Sequence, residues 1–457
     1  MTALNFFLPI DGISNLGGCH MLEQMRSVAF WWLDTVRGSQ IKRAYDEIKR
    51  FYEMDSSSKE LEEYHSKALK KLIKHATTTT EFYKKYEALG YDLSKFPVIN
   101  KNIIKENQES FLSSKYKDKK LIQMSTSGST GTPFVSYQNI EKKRRVNAET
   151  IFFNGRAGYR VGRRFIFLRS LTDKTDDSFL RQWIQNKKLI DIKHLDKKDI
   201  EILLDKIRQA NSNKGAVMLA YASTYDAFRD YFKKYGTEKV RDIKLNGLIS
   251  SSEILYDETR EVVSKAFGCK CFSRYANMEN GMLGQDDPSH PNTFILNEAN
   301  YFIEILKEND EPAEEGELGR IVVTDLYNYA MPMIRYDTGD VGSLKYMEIN
   351  GVKKKVITNF TGRKIDMVYD VGGRCLSPHK VSVTFWSFPE LKQFQFIQKG
   401  KTDYLVKINV DGEFNRQDEL KEKLLELLGQ GANIRIEKVD EIPTLASGKR
   451  KYIVNKM

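Results

Sequence analysis

Ser125-Thr126-Ser127-Gly128-Ser129-Thr130-Gly131-Thr132-Pro133 is the stretch on which the reading of this sequence turns. It sets six hydroxyl side chains and two glycines between two strand-like runs, 120–124 and 134–138. Glycine lets backbone amides converge on one point, and hydroxyls add donors, so such a loop can wrap a polyphosphate. The Gly-Lys-Ser/Thr ending of a Walker loop is missing and no helical pattern follows directly, so the usual P-loop reading fails. A plain hairpin turn uses the same residue types. The choice rests on the rest of the chain.

Outward from this loop, two periodicities alternate. Residues 165–168, 216–220, 245–250 and 269–275 read as strands, and 198–209, 224–235 and 256–267 as helices. That order predicts an α/β fold with mainly parallel strands. Upstream, Leu61, Tyr64, Ala68, Leu69, Leu72 and Ile73 recur at helical spacing, so residues 20–90 read as helices and 1–60 as a helical N-terminal extension. After residue 290, the runs 294–296, 301–306, 319–325, 341–346 and 355–359 suggest a β-rich layer. From about 366 the pattern becomes strand, helix, strand, helix, strand, with helices at 380–388 and 415–427. The expected division is a large domain over 1–365 and a small α+β domain over 366–457.

Composition sets outer limits. The 457 residues suffice for a large core and more than one domain. Hydrophobic residues at 40% and charged residues at 30% describe an ordinary globular protein. A formal charge of +11 favours anionic ligands or surfaces without choosing among them. Four cysteines exclude a disulfide framework and suit a reducing cytoplasm. Cys269 and Cys271 lack the usual zinc-ligand spacing, so zinc is not expected and buried thiols are. The aromatic segment from Met21 to Val36 reads as an N-terminal helix docked on its own domain, with an interfacial helix as the alternative. No stretch is apolar enough for a membrane span.

Four more motifs follow the loop in order: Tyr275-Ala276-Asn277-Met278-Glu279, Tyr336-Asp337-Thr338-Gly339-Asp340, Gly362-Arg363-Lys364-Ile365-Asp366 and Pro443-Thr444-Leu445-Ala446-Ser447-Gly448-Lys449. Each alone occurs often by chance. Together with the loop they resemble the acyl-adenylate-forming superfamily, the AMP-forming ligases that activate carboxylic acids. Within it the chain is most similar to the phenylacetate–CoA ligase branch, which includes capsular-polysaccharide biosynthesis proteins. Phe82-Tyr83, Phe96-Pro97-Val98-Ile99-Asn100-Lys101 and Tyr221-Ala222-Ser223 fit the same branch. The resemblance runs from about residue 60 to the C-terminus.

It implies a mobile C-terminal domain and a division of labour. Ser127, Gly128, Ser129, Thr130 and Gly131 would hold the ATP phosphates, with Thr130 also among the catalytic residues. Tyr275 would stack on adenine, with Ser252 and Glu253 beside the nucleotide, and Glu279 would help hold Mg²⁺, which prefers oxygen ligands. Asp340 would accept both ribose hydroxyls and Arg363 would sit near ribose and phosphate. Lys449 would bridge the attacking carboxylate and the α-phosphate as a mobile point charge, and Asp366 would be the hinge. The implied substrates are ATP and a small carboxylic acid. The acceptor is CoA, a carrier-protein thiol or an amino sugar, the last fitting a role in polysaccharide biosynthesis. A homodimer is compatible with this reading, and no specific nucleic acid is expected.

Two departures stand out. Ala276 and Ser252 occupy positions where the branch usually has glycine, which predicts a reshaped pocket. The alternative reading is a catalytically degenerate ligase fold that binds an anionic polymer, nucleic acid or glycan, through its positive charge. The basic run from Lys142 to Arg145 reads as a solvated helix face.

Overall fold

Three helices open the described chain, Gly18–Val36, Gln40–Glu53 and Lys59–Thr79. The third begins where the Ser58 side chain accepts from the Leu61 amide, with Glu60 and Glu62 in its positively polarised first turn. Its buried face carries Leu61, Leu72, Ile73 and Ala76, the helical spacing visible in the sequence. The computed structural model describes residues 18–126, 134–169, 178–192, 195, 197–211, 215–363, 368–376, 381, 384–385, 387–388, 390–410, 412–443 and 452–457.

The strands that matter for the site are β1 (Ile122–Thr126), β2 (Phe134–Gln138), β3 (Phe165–Arg169), β4 (Lys187–Asp191), β5 (Ala216–Tyr221), β6 (Leu245–Ser251) and β7 (Cys271–Asn277). They continue as β8 (Gly281–Asp287), β9 (His290–Leu296), β10 (Tyr301–Leu306), β11 (Leu318–Asp325), β12 (Tyr336–Ile349) and β13 (Val352–Arg363). The fold is α/β, as expected. The parallel sheet and the β-rich layer are one hydrogen-bonded sheet, in the order β10-β11-β12-β13-β9-β8-β7-β6-β5-β3-β4. Strands β4, β3, β5, β6 and β7 are parallel, and from β7 to β10 every pairing is antiparallel. β7 is therefore the seam between the two halves.

Helices Lys197–Ala210, Ala222–Tyr235 and Asp257–Phe267 join the parallel strands and cover one face, burying Leu168, Met218, Leu248, Phe228 and Val263 in one cluster. Residues 216–220 of β5 are buried on both faces, which is why they read as an unbroken apolar run. On the opposite face Val217, Leu219, Ile249 and Phe272 pack under Ala157 and Tyr159. That contact is close: a Cβ at Gly247 would lie 2.1 Å from the Ala157 carbonyl oxygen.

Two details depart from the sequence reading. The short strands expected at 341–346 and 355–359 are the middle of a long hairpin, β12–β13, in which Ile349 pairs with Val352. Asn350 and Gly351 form its two-residue turn, both with positive φ (53° and 76°). That dipeptide is a strong hairpin signal in the sequence. The basic run 142–145 is not a solvated face. Lys142 is fully buried, 2.7 Å from an Asp325 carboxylate oxygen and 3.0 Å from the Tyr301 hydroxyl. Arg145 is buried too, bonded to Glu47 and Asn300, with its guanidinium 3.5 Å from the centre of the Tyr327 ring. These cations tie the Ile140–Arg156 helix to the antiparallel half and to the Gln40–Glu53 helix.

Toward the C-terminus come β14 (Val368–Tyr369), β15 (Cys375–Leu376), β16 (Leu391–Gln398), β17 (Asp403–Val410), β18 (Asn433–Lys438) and β19 (Ile453–Asn455). The last four form a separate sheet, β18-β17-β16-β19, against helix Gln417–Leu428. Phe396, Val406, Leu420, Leu424 and Ile453 share its own hydrophobic core. Of the helix expected at 380–388, residues 381, 384 and 385 are helical, and 380, 382, 383 and 386 lie outside the described residues. Among the described residues, no helix is long and apolar enough to cross a membrane.

Candidate active site

β1 and β2 pair antiparallel up to Thr126 opposite Phe134. The connection between them, with Ser127, Gly128, Ser129, Thr130 and Gly131, lies outside the described residues. What stands at its base is described. The Gln138 amide donates to the backbone carbonyl of Glu279 at 3.1 Å. The Glu279 side chain is 2% exposed, and one carboxylate oxygen accepts from the Tyr336 hydroxyl at 2.9 Å. The same oxygen is 2.6 Å from the Lys101 ammonium, which also lies 5.6 Å from the centre of the Phe134 ring. An enclosed carboxylate would be costly without such partners. Burial first, and then the neighbouring Glu279 carboxylate, push the Tyr336 hydroxyl well above its ordinary pKa, so it stays a donor.

Lys101 and Tyr336 carried no functional role in the sequence reading. Their one signal was position: Lys101 ends the Phe96–Lys101 motif and Tyr336 opens the Tyr336–Asp340 motif. The Asn100 side chain fixes Lys101 by capping helix Lys101–Glu106, accepting from the Asn102 and Ile103 amides at 2.9 and 3.0 Å.

The second constellation grows from β7 and β12. The Tyr275 hydroxyl donates to Asp340 at 2.9 Å and to the Thr338 hydroxyl at 3.3 Å. Its ring is buried, 4.7 Å from Phe360 and 6.2 Å from Phe294 between ring centres. Burial, with Asp340 next in weight, holds that hydroxyl far above the usual tyrosine range. Gly339, at φ +77°, makes the bend that precedes Asp340. Across the β12–β13 ladder Asp340 faces Arg363. The Arg363 side chain, Asp366 and Lys449 lie outside the described residues.

The third group sits at the end of β6. Ser252 has φ 72°, a left-handed conformation that glycine adopts more readily. The backbone keeps that shape although a serine stands there. Ala276, by contrast, has no positive φ, so its methyl adds no backbone strain. A Glu253 carboxylate oxygen accepts from the Ser223 amide at 2.9 Å, pinning the Tyr221-Ala222-Ser223 turn and the start of helix Ala222–Tyr235. Cys271 is buried and Cys269 half-buried, and burial pushes both thiols up, Cys269 to about 12.

Glu279, Tyr275 and Asp340 thus gather around β7, beside the base of the hydroxyl-rich hairpin, while Ser252 and Glu253 stand one strand away. Chemically, this is a buried carboxylate next to a cation, beside a tyrosine–aspartate pair.

Known proteins share this architecture. The CapK C-terminal domain model matches residues 368–456. Protein CapK of Staphylococcus aureus is 22% identical over 435 residues, covering 91% of this chain and 92% of that protein. The crystal structure of 2-hydroxyisobutyryl-CoA ligase in the postadenylation state with 2-HIB-AMP superposes with a TM-score of 0.70 at 14% identity, covering 88% of this chain and 91% of that one. ATP-bound MatB from Rhodopseudomonas palustris superposes with a TM-score of 0.51 at 16% identity, covering 72% and 66%. The chain therefore shares the fold of the AMP-forming CoA ligases and resembles CapK over most of its length.

Proposed function

We propose that this protein activates a carboxylic acid as its acyl-adenylate and then passes the acyl group to CoA or another acceptor. In the first step a carboxylate oxygen forms a bond to the α-phosphorus of ATP, and the bond from that phosphorus to pyrophosphate breaks. The reading is carried by the Lys101–Glu279–Tyr336 cluster at the base of the hydroxyl-rich hairpin, beside the Tyr275–Asp340 pair. Two anions must approach each other in this reaction, so fixed donors and cations near the phosphates lower the barrier.

Ser127, Gly128, Ser129, Thr130 and Gly131 hold the β- and γ-phosphates in this proposal, and Lys101 adds a cation. Tyr275 packs against adenine, its ring oriented by the Asp340 and Thr338 bonds. Asp340 accepts from the ribose, with Arg363 across the ladder. Ser252 and Glu253 border the nucleotide, Glu253 through the turn it fixes. Glu279 suits Mg²⁺, an oxygen-seeking ion that takes one or two protein carboxylates and completes its shell with phosphates and water. When bound, that ion supplies positive charge to the phosphates. Residues 366–457 act as the mobile unit, hinged at Asp366, which brings Lys449 to the reacting carboxylate.

The similarity to CapK supports an acceptor within polysaccharide biosynthesis, such as an amino sugar, alongside CoA and carrier thiols. The test is pyrophosphate release from ATP and Mg²⁺ across a panel of carboxylic acids, each with and without CoA. Acid-dependent release is the expected outcome. Absence of release together with absence of ATP binding would leave a degenerate fold that binds an anionic polymer.

A further inference from the structure

Five adjacent parallel strands end in one polar row. In the sheet register Asp191 on β4 lies opposite Arg169 on β3, and Tyr221 on β5 lies opposite Ser251 on β6. Continuing Phe167↔Leu219 and Ile249↔Phe272 by two residues sets Arg169 beside Tyr221 and Ser251 beside Arg274. Side chains alternate along a strand, so these residues share the face of Phe167, Leu219, Ile249 and Phe272. That face is the apolar floor covered by Ala157 and Tyr159. The row adjoins the nucleotide site: Ser252 follows Ser251, and Tyr275 follows Arg274.

Arg274 differs from the other enclosed arginines of this domain. Arg260 pairs with Asp286, Arg156 with Asp287 (3.1 Å), Arg320 with Asp337 (2.8 Å) and Arg335 with Glu304 (3.3 Å). Arg274 is half-buried, its Nε is shielded from solvent without a partner, and no hydrogen bond or ion pair reaches it among the described residues. Burial draws its pKa down only to about 10, so it is charged at neutral pH. It lies near enough to Tyr221 for each to influence the other's ionisation. A shielded guanidinium without a counter-charge is costly. Its planar fork of donors matches a carboxylate with two parallel hydrogen bonds.

We propose that the acid activated here carries a second carboxylate, remote from the reacting one, and that Arg274 receives it with Tyr221 and Ser251 alongside. The substrate class is then a dicarboxylic acid whose second carboxylate lies at the ends of β5, β6 and β7. This inference rests on the adenylating reading of the neighbouring site, and two measurements on the full chain separate them. The first is calorimetric binding of malonate, succinate, glutarate and adipate against monocarboxylates of equal length. The second is pyrophosphate release with the same acids, ATP and Mg²⁺.

One dicarboxylate is expected to exceed its monocarboxylate partner on the order of 100-fold in kcat/KM, because a polar site left unfilled rejects the analogue. Arg274→Met should abolish most of that preference while leaving ATP binding unchanged and the melting temperature no lower. Arg274→Lys should recover part of it, as a point charge without the fork. Preference for apolar monocarboxylates, or an unchanged ratio in Arg274→Met, overturns the dicarboxylate inference and spares adenylation. Dicarboxylate binding that depends on Arg274 but yields no pyrophosphate does the reverse. No binding or turnover of any dicarboxylate overturns the inference outright.

Discussion

At the residue scale, Glu279 gathers the most chemistry into the smallest space. Its carboxylate is shared by Lys101, which stands over the Phe134 ring, and by Tyr336, which is wholly enclosed. Tyr336→Phe removes one hydrogen bond to a charged group, worth about 1.5–3 kcal/mol. It should lower kcat/KM for acid-dependent pyrophosphate release by roughly 10- to 100-fold. Unchanged steady-state kinetics would remove Tyr336 from the machinery. Ser252 offers a cleaner test of backbone shape. At φ 72° a serine pays a conformational penalty that glycine avoids. Ser252→Gly should therefore stabilise the large domain by about 0.5–1 kcal/mol, seen as a higher melting midpoint. A lower midpoint would show that the hydroxymethyl group makes a compensating contact.

At the element scale, the Ile140–Arg156 helix is anchored by charge. Lys142 and Asp325 are both buried, so removing one partner strands the other. Lys142→Met should destabilise the protein by about 3–5 kcal/mol, and adding Asp325→Asn should return much of that loss. Chemical denaturation of the two single variants and the double variant measures the coupling. If the double variant loses the sum of the two single losses, the pair is not coupled.

The same helix carries Glu149, whose pKa burial raises to about 7 despite Lys142 nearby. Folded Glu149 keeps its proton up to that pH, while the unfolded chain releases it near 4.5. The folded state thus binds more protons between those values, and stability falls as pH rises through the window, by up to about 1.4 kcal/mol per pH unit. Glu298 and Asp226, also raised to about 7 by burial, contribute with the same sign. Glu149→Gln should flatten the decline between pH 4.5 and 7. An identical slope in the variant would show that Glu149 does not titrate there.

At the scale of the whole molecule, the separate C-terminal core and the site assembled from sequence-distant motifs set the expectations. The C-terminal residues have their own hydrophobic cluster, so a change in the 444–451 segment need not disturb the large domain. Lys449→Ala should abolish most acid-dependent pyrophosphate release without shifting the melting curve, and Lys449→Arg should not restore it. Full activity in Lys449→Ala would remove this residue from adenylation.

The sequence by itself determined the periodic elements, because helix and strand spacing is written in near neighbours: the Lys59–Thr79 face, the unbroken apolar run of β5 and the alternation from 198 to 275. The ordered motifs also marked Tyr275, Glu279 and Asp340, and serine at a glycine position marked Ser252. Only the tertiary structure brought Lys101 to Glu279, Tyr275 to Asp340 and Lys142 to Asp325, and only it fused both strand classes into one sheet at β7. Those partners lie far apart along the chain, and strand order brings them together. Lys142 shows why composition misled: a lysine in a polar helix looks solvated until a distant aspartate is folded against it. The row from Asp191 to Arg274 has the same origin. Its members come from five separate strands, and only the parallel register aligns their ends on one face.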